Sequence, residues 1–184
     1  MTPRSRSARD LGALALALVA LAVPVTLLAH AVVFPGHAPP GAYQKYVLRV
    51  PTERDVPTTR IEIRFPAEVT VISFADVPGW ELEVREDADG QVRGAVWNGT
   101  LPPGRFVELP FVAVNPRTET RLTWPVVQTY ASGEVVEWSG PEGSETPASV
   151  TLVADEGPGA GIWLGAAGIV IGLLALGLAL RARA

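Results

Sequence analysis

The segment RIEIRF at residues 60–65 alternates apolar and charged side chains without a break. Successive side chains of an extended strand point to opposite faces, so this period of two predicts a β-strand with one buried and one wet face. The segments YVLRV at 46–50 and WELEVR at 80–85 repeat the alternation. No stretch between residues 30 and 153 has a convincing helical period, and these segments therefore predict an all-β fold.

Further strands are predicted at six segments, which are 69–74, 91–97, 106–114, 121–130, 133–138 and 149–153. Glycine- and proline-rich turns such as those at 78–79 and 102–104 separate them. Short strands with turn signals roughly every 8–12 residues are typical of a single antiparallel β-sandwich, immunoglobulin-like or cupredoxin-like. Proline lacks an amide donor, so we expect the prolines at 51, 66, 110 and 125 at strand edges, bulges or ends.

The amino-terminal 29 residues have the pattern of a signal peptide. Three arginines precede an apolar stretch at residues 11–28, and the small residue Ala29 follows it. We expect cleavage between Ala29 and His30, which makes His30 the first residue of the mature protein. A cut after Ala31 would remove His30, and an uncleaved anchor would leave its nitrogen in a peptide bond; both alternatives stay open at this point.

The carboxy-terminal region predicts a membrane tether. After a domain at 30–153 and a Gly/Pro-containing linker at 154–160, residues 161–180 carry no charge and are long enough to span a bilayer as a helix. Acidic residues precede this run and arginines follow it within the predicted cytoplasmic tail 181–184. The expected protein is therefore a single-pass cell-membrane protein with its domain on the extracytoplasmic side; removal of the tail by a peptidase is the alternative.

Composition limits the chemistry of any site. The chain has no cysteine, and its one methionine is Met1, so the mature domain offers neither disulfides nor sulfur ligands for a metal. Residues 30–156 contain ten basic and eighteen acidic side chains, a net charge of −8. Such a surface argues against nucleic acid as a partner.

His30 is the first candidate ligand. A free α-amine and an imidazole on one residue can close a six-membered chelate ring on a metal ion, and a nitrogen and oxygen ligand set favours copper(II) among the first-row divalent metals. Glu108 is the second candidate, because it is the only ionisable residue in the apolar run 106–114. If that strand is covered on both faces, its carboxylate needs a compensating cation; an exposed position or a pairing with arginine is the alternative.

No catalytic constellation is present in the sequence, and we predict that the protein is not an enzyme. His37, the only other histidine, lies in the loop at 35–41 and could complete a two-histidine copper site. A copper-dependent oxidative enzyme of that kind is one alternative function, and a metal-free surface domain is another. A tryptophan could shield a copper site, but the residues alone do not say which one.

Several motifs in fixed order resemble the YcnI-like copper-binding domain family. They are the export leader before His30, GxYxKYxxRVPxE at 41–53, VPGW at 77–80, GxFxExxF at 104–111, QTYxxGxVVEW at 128–138 and TPA at 146–148. The resemblance implies a β-sandwich that binds Cu(II) through a mono-histidine brace, with His30 as the bidentate ligand, Glu108 as the carboxylate and Trp138 as the tryptophan. Glu137 and Trp97 are rivals for the Trp138 assignment, and His37 is a departure from a pure brace.

The resemblance also implies a role. It predicts a membrane-tethered, extracytoplasmic copper(II)-binding protein that serves copper acquisition, delivery or homeostasis. Its expected partners are the copper ion, the membrane through the C-terminal helix, and other copper-handling proteins.

Overall fold

The computed structural model describes residues 30–155 and short helical stretches at 164–165, 167–172 and 181. The predicted signal peptide at 1–29 and much of the predicted span at 161–180 lie outside the described residues. Within the described part of the chain, no helix has the length and apolar character that crossing a membrane requires.

Twelve strands make up the described domain. In chain order they are β1 (Val32–Phe34), β2 (His37–Ala38), β3 (Tyr43–Pro51), β4 (Thr58–Arg64), β5 (Thr70–Phe74), β6 (Trp80–Glu86), β7 (Val92–Leu101), β8 (Phe106–Val114), β9 (Thr120–Trp124), β10 (Val126–Tyr130), β11 (Val135–Trp138) and β12 (Ser149–Val153). They form a first sheet ordered β1-β3-β8-β5, a second sheet ordered β11-β10-β4-β7-β6, and a small third sheet ordered β2-β12-β9. Pairing is antiparallel except between β2 and β12.

One hydrophobic core lies between the sheets. Alternate residues of β3 and β8 face alternate residues of β4 and β7, as the period-two pattern predicts, and the largest buried side chains include Tyr46, Trp97, Trp124 and Phe111. The Tyr46 hydroxyl donates a 2.6 Å hydrogen bond to Asn115 Oδ1, and burial raises the pKa of Tyr46 to about 12. The buried phenol therefore stays protonated and has its hydrogen-bond partner. The strand order confirms the prediction of an all-β sandwich.

The predicted strand at 121–130 is two strands in two different sheets. Pro125 separates β9, which pairs with β12, from β10, which pairs with β4 and β11. Without an amide hydrogen, Pro125 cannot continue a ladder, and the chain crosses from the third sheet to the second at this residue. The Pro125 carbonyl nevertheless accepts a 3.0 Å hydrogen bond from the backbone amide of Arg64.

Strand β8 is covered on one face only, so the two-sided coverage on which a need for a cation at Glu108 depended is not found. Val107, Leu109, Phe111 and Ala113 point into the core, whereas the alternate residues are exposed or half-buried. An apolar sequence on both faces therefore did not mean burial on both faces. The short strands β1 and β2 were not predicted, because three and two residues are too few to show a period.

Candidate metal centre

His30 is fixed by the residues that follow it. Ala31 and Val33 are each 1% exposed and pack into the core, while β1 pairs with β3 from Val32 onwards. His30 itself is half-buried. The first residue of the predicted mature domain is therefore held against the sandwich, so a metal ion bound there would meet neighbouring groups in defined positions.

The imidazole of His30 packs against the indole of Trp138. The ring centroids are 5.6 Å apart and the planes cross at 65°, an edge-to-face contact. Trp138 ends β11 and is 4% exposed. The structure thus brings together two of the three predicted site residues, which are 108 positions apart in the chain.

A buried hydrogen-bond network holds the indole in place. Trp138 Nε1 donates to Gln128 Oε1 at 3.1 Å, and Gln128 Nε2 donates to the Pro51 carbonyl at 2.8 Å and to Thr58 Oγ1 at 2.7 Å. Thr58 and Thr52 share a 2.9 Å hydroxyl contact. An indole N–H can only donate, so the side-chain oxygen of Gln128 must face Trp138. The network joins β3 of the first sheet to β4, β10 and β11 of the second.

A cavity of about 220 Å³ lies beside Trp138. Its lining residues are Glu53, Arg54, Tyr130, Val136, Trp138, Glu145 and Thr146. Glu53 is half-buried and follows directly on the Pro51 and Thr52 positions of the network. The sequence reasoning did not single out Glu53 or Gln128, although both stand in the motifs that carried the family resemblance.

The cation in this cavity is already paired. Arg54 Nη2 and Nε lie 2.8 and 2.9 Å from Glu134 Oε1, and this hydrogen bond raises the pKa of Arg54. The guanidinium also lies 5.7 Å from the ring centroid of Tyr130, whose pKa is raised mainly by burial. Both groups therefore keep their ordinary protonation states near neutral pH, and carboxylates supply the oxygen ligands that this cavity can offer.

The structure does not bring Glu108 to His30 and Trp138. Glu108 lies on the exposed side of β8 and pairs across the strands with Arg49, whose Nη2 is 2.8 Å from Glu108 Oε1. Strand β3 separates β8 from β1, so two strand spacings, about 10 Å, lie between their backbones. The arginine partner that the sequence left as an alternative is the arrangement found.

The other residues considered for the site do not join His30 and Trp138. Trp97 is packed in the core with its ring 5.9 Å from that of Phe74, and Glu137 is exposed on β11. His37 is exposed on β2, where it pairs with Leu152 of the third sheet. Among residues 30–155 and the described helical stretches, no three His, Asp or Glu side chains are grouped to hold a metal. A site at His30 would therefore need its main-chain nitrogen as a ligand.

The described residues thus form a β-sandwich domain with a candidate ligand site at one corner, where the half-buried His30 packs against the buried Trp138. Residues 30–153 match the family described as "Domain of unknown function (DUF1775)". The chain belongs to this family, and the resemblance to YcnI-like proteins is confirmed.

Two relatives place the chain more closely. It is 32% identical over 128 residues to a Bacillus subtilis protein named copper-binding protein CutI; the match covers 68% of this chain and 62% of that protein. A crystal structure of an uncharacterized Nocardia farcinica protein, reported to have an immunoglobulin-like fold, superposes with a TM-score of 0.60 at 28% identity over 68% of this chain and 99% of that one. The immunoglobulin-like alternative for the fold is thereby confirmed.

Proposed function

We propose that the domain binds copper(II) at His30 once the leader has been removed between Ala29 and His30. The observation that carries the proposal is the packing of the His30 imidazole against an indole held by a buried network. Membership of the family and the name of the Bacillus subtilis relative support copper as the metal. The two nitrogens of the freed His30 would form the chelate, in a mono-histidine brace.

Trp138 contributes to this site by packing against the imidazole and not as a nitrogen ligand. Its only polar atom, Nε1, carries a hydrogen that is donated to Gln128, so no lone pair is available to the ion. A rigid indole beside the imidazole limits the ring to a narrow range of orientations and excludes water from one side. Pre-organisation of this kind lowers the cost of ordering a ligand on binding.

The carboxylate that completes the site is better supplied by Glu53 than by Glu108. Glu53 lines the same cavity as Trp138 and is next to the network that positions the indole. Glu108 would have to leave Arg49 and cross the width of β3. Oxygen and nitrogen ligands together suit copper(II), and the chain contains no cysteine that would favour copper(I).

The role that fits such a site is copper acquisition, delivery or buffering rather than catalysis. The predicted leader and the uncharged run at 161–180 support a domain that works outside the cytoplasm and is tethered to the cell membrane. Other copper-handling proteins are the expected partners. No observation favours the two-histidine oxidative enzyme, because His37 is exposed on a strand of another sheet.

The decisive experiment compares two amino termini. Copper(II) titration of a chain that begins at His30 should give an affinity on the order of a hundredfold, about 2.8 kcal/mol, higher than that of a chain that keeps Ala29. The added residue turns the amine into an amide and removes one arm of the chelate. A His37→Ala variant is the matched control and should bind copper unchanged. Equal affinity of the two termini would rule out the brace.

A further inference from the structure

The loop between β3 and β4, residues 52–57, carries Glu53 to the cavity beside Trp138. The antiparallel register of β1 against β3, continued by two residues before β1 begins, puts His30 opposite Pro51. Glu53 follows Pro51 by two residues and is half-buried. The place of its carboxylate at the His30 corner therefore depends on the conformation of this loop.

An arginine and a glutamate hold the middle of the loop. Arg54 Nη2 and Nε lie 2.8 and 2.9 Å from Glu134 Oε1, and we use the name "clip" for these two side chains. The Arg54 guanidinium carbon also lies 5.7 Å from the ring centroid of Tyr130, whose hydroxyl is hydrogen-bonded to the backbone of Glu53. Two successive residues of the loop are thus tied to the hairpin formed by β10 and β11.

The hairpin end of the clip is itself well ordered. The amide of Tyr130 donates a 2.9 Å hydrogen bond to the Glu134 carbonyl, and the amide of Gly133 donates one of 2.9 Å to the Tyr130 carbonyl. Gly133 has a φ of 86°, which glycine adopts without steric cost. Strand β11 leaves this turn and ends at Trp138. The clip therefore joins the loop that carries Glu53 to the hairpin that carries Trp138.

The energetics of the clip favour positioning over stability as its role. Its two side chains are 42% and 44% exposed, and ion pairs with that much access to water contribute little to the free energy of folding. Two N–H donors on one oxygen nevertheless restrict the orientation of Arg54. By charge alone, an arginine in this cavity would repel a copper ion, and Glu134 offsets that charge. What remains as the contribution of the clip is the geometry of the loop.

We propose that the clip positions the copper site: Arg54, held by Glu134, keeps the loop in the conformation that presents the Glu53 carboxylate to a copper ion chelated by His30. The inference rests on the proposed function, in which Glu53 supplies the oxygen ligand. Removing a group that orients a metal ligand typically lowers metal affinity by about 10–100-fold. Because the clip is exposed, we expect an effect below that range.

Competitive copper(II) titration of the mature chain, which begins at His30 and keeps its carboxy terminus, tests the proposal. Arg54→Gln should lower the affinity by roughly fivefold, because Glu53 is no longer held in place. Charge alone predicts the opposite sign, since the loss of a cation strengthens copper binding. Arg93→Gln is the matched control: it removes the same charge from an ion pair with Asp87 on β7, three strands from β11, and should change the affinity less than about twofold.

A double-mutant cycle shows whether the clip acts through Glu53. In a Glu53→Gln background, Arg54→Gln should change the affinity by less than about twofold, because the ligand that it positions is already lost. The electron paramagnetic resonance spectrum of copper(II) bound to Arg54→Gln should shift toward that of Glu53→Gln. The urea unfolding midpoint of Arg54→Gln should stay close to that of the parent. A general loss of packing would instead weaken copper binding equally in both backgrounds.

The outcomes separate this proposal from the copper site itself. Unchanged or higher affinity of Arg54→Gln, or a fivefold loss that persists in the Glu53→Gln background, would overturn the positioning role and leave the site intact. Equal affinity of the two amino termini would overturn the brace, and an unchanged affinity of Glu53→Gln would overturn the carboxylate assignment. Either of these removes the basis of the clip, and both are measured without altering Arg54.

Discussion

The corner at His30 and the exposed face around Arg49 each place an ionisable side chain beside aromatic rings, but only the ring at the corner is buried. Trp138 is buried and tied by hydrogen bonds to both sheets, while Phe34 and Phe106 lie on the surface with solvent on one side. The ionisable groups differ as well, because Arg49 has a carboxylate at 2.8 Å and His30 has an indole edge. His30 therefore packs against a buried indole, whereas Arg49 is neutralised by a carboxylate on an exposed face.

The largest difference should appear when the aromatic rings are removed. Trp138→Ala deletes a buried indole and leaves a cavity, and we expect the free energy of unfolding to fall by about 3–5 kcal/mol. Phe106→Ala removes a ring that is 59% exposed and should cost about 0.5 kcal/mol or less in dilute monomer. Urea unfolding followed by circular dichroism measures both. Similar losses in the two variants would show that the corner is no better packed than the surface.

The hydrogen-bond network should have the next largest effect. Gln128→Leu removes the partner of the buried Trp138 N–H and of the part-buried Pro51 carbonyl, and we expect a loss of about 1–3 kcal/mol in stability. The control is Gln44→Leu, since the side chain of Gln44 makes only a solvent-exposed bond to the Lys45 carbonyl. Its unfolding midpoint should stay close to that of the parent. An unchanged unfolding midpoint for Gln128→Leu as well would show that the network does not hold the indole in place.

Most of the sandwich could be predicted because alternation is a local property. The segment 60–65 has Ile61 and Ile63 fully buried, as its pattern requires. Its strand also pairs on both sides within the second sheet. The strand exchange at Pro125 could be predicted only as an interruption. Which sheet each half joins depends on pairing with β12 and β4, and those partners are distant in sequence.

The site was harder to predict, and for a physical reason. His30 and Trp138 could be named, His30 from the leader and Trp138 from the family resemblance, and the structure brings them together. Glu108 was singled out because a lone carboxylate in an apolar run suggests a buried charge. In the structure that run has an exposed side and an arginine opposite the carboxylate, so the argument for a needed cation disappears. Whether a strand face is exposed depends on where the other sheets pack, and the sequence of β8 does not show it.

Replacing each carboxylate, Glu53 or Glu108, with an amide tests which of the two contributes to copper binding. Glu53→Gln should lower copper(II) affinity by roughly tenfold, because the oxygen ligand proposed beside the indole would lose its charge. Glu108→Gln should change the affinity less than about twofold, since its carboxylate is bound to Arg49 a strand away. Competitive titration against a chelator of known affinity gives both values. The reverse order would restore Glu108 as the ligand.

The smallest effect is expected from the Arg49 and Glu108 ion pair itself. The two side chains are 46% and 44% exposed, so water and salt screen their attraction, and a double-mutant cycle with Arg49→Ala and Glu108→Ala should give a coupling energy of about 0.2–1 kcal/mol. Raising the salt concentration should reduce that value. The pair therefore contributes little to the stability of the fold. A coupling well above 1 kcal/mol in dilute monomer would instead make it a structural element of the first sheet, and the contrast between the buried corner and the exposed face would lose its energetic basis.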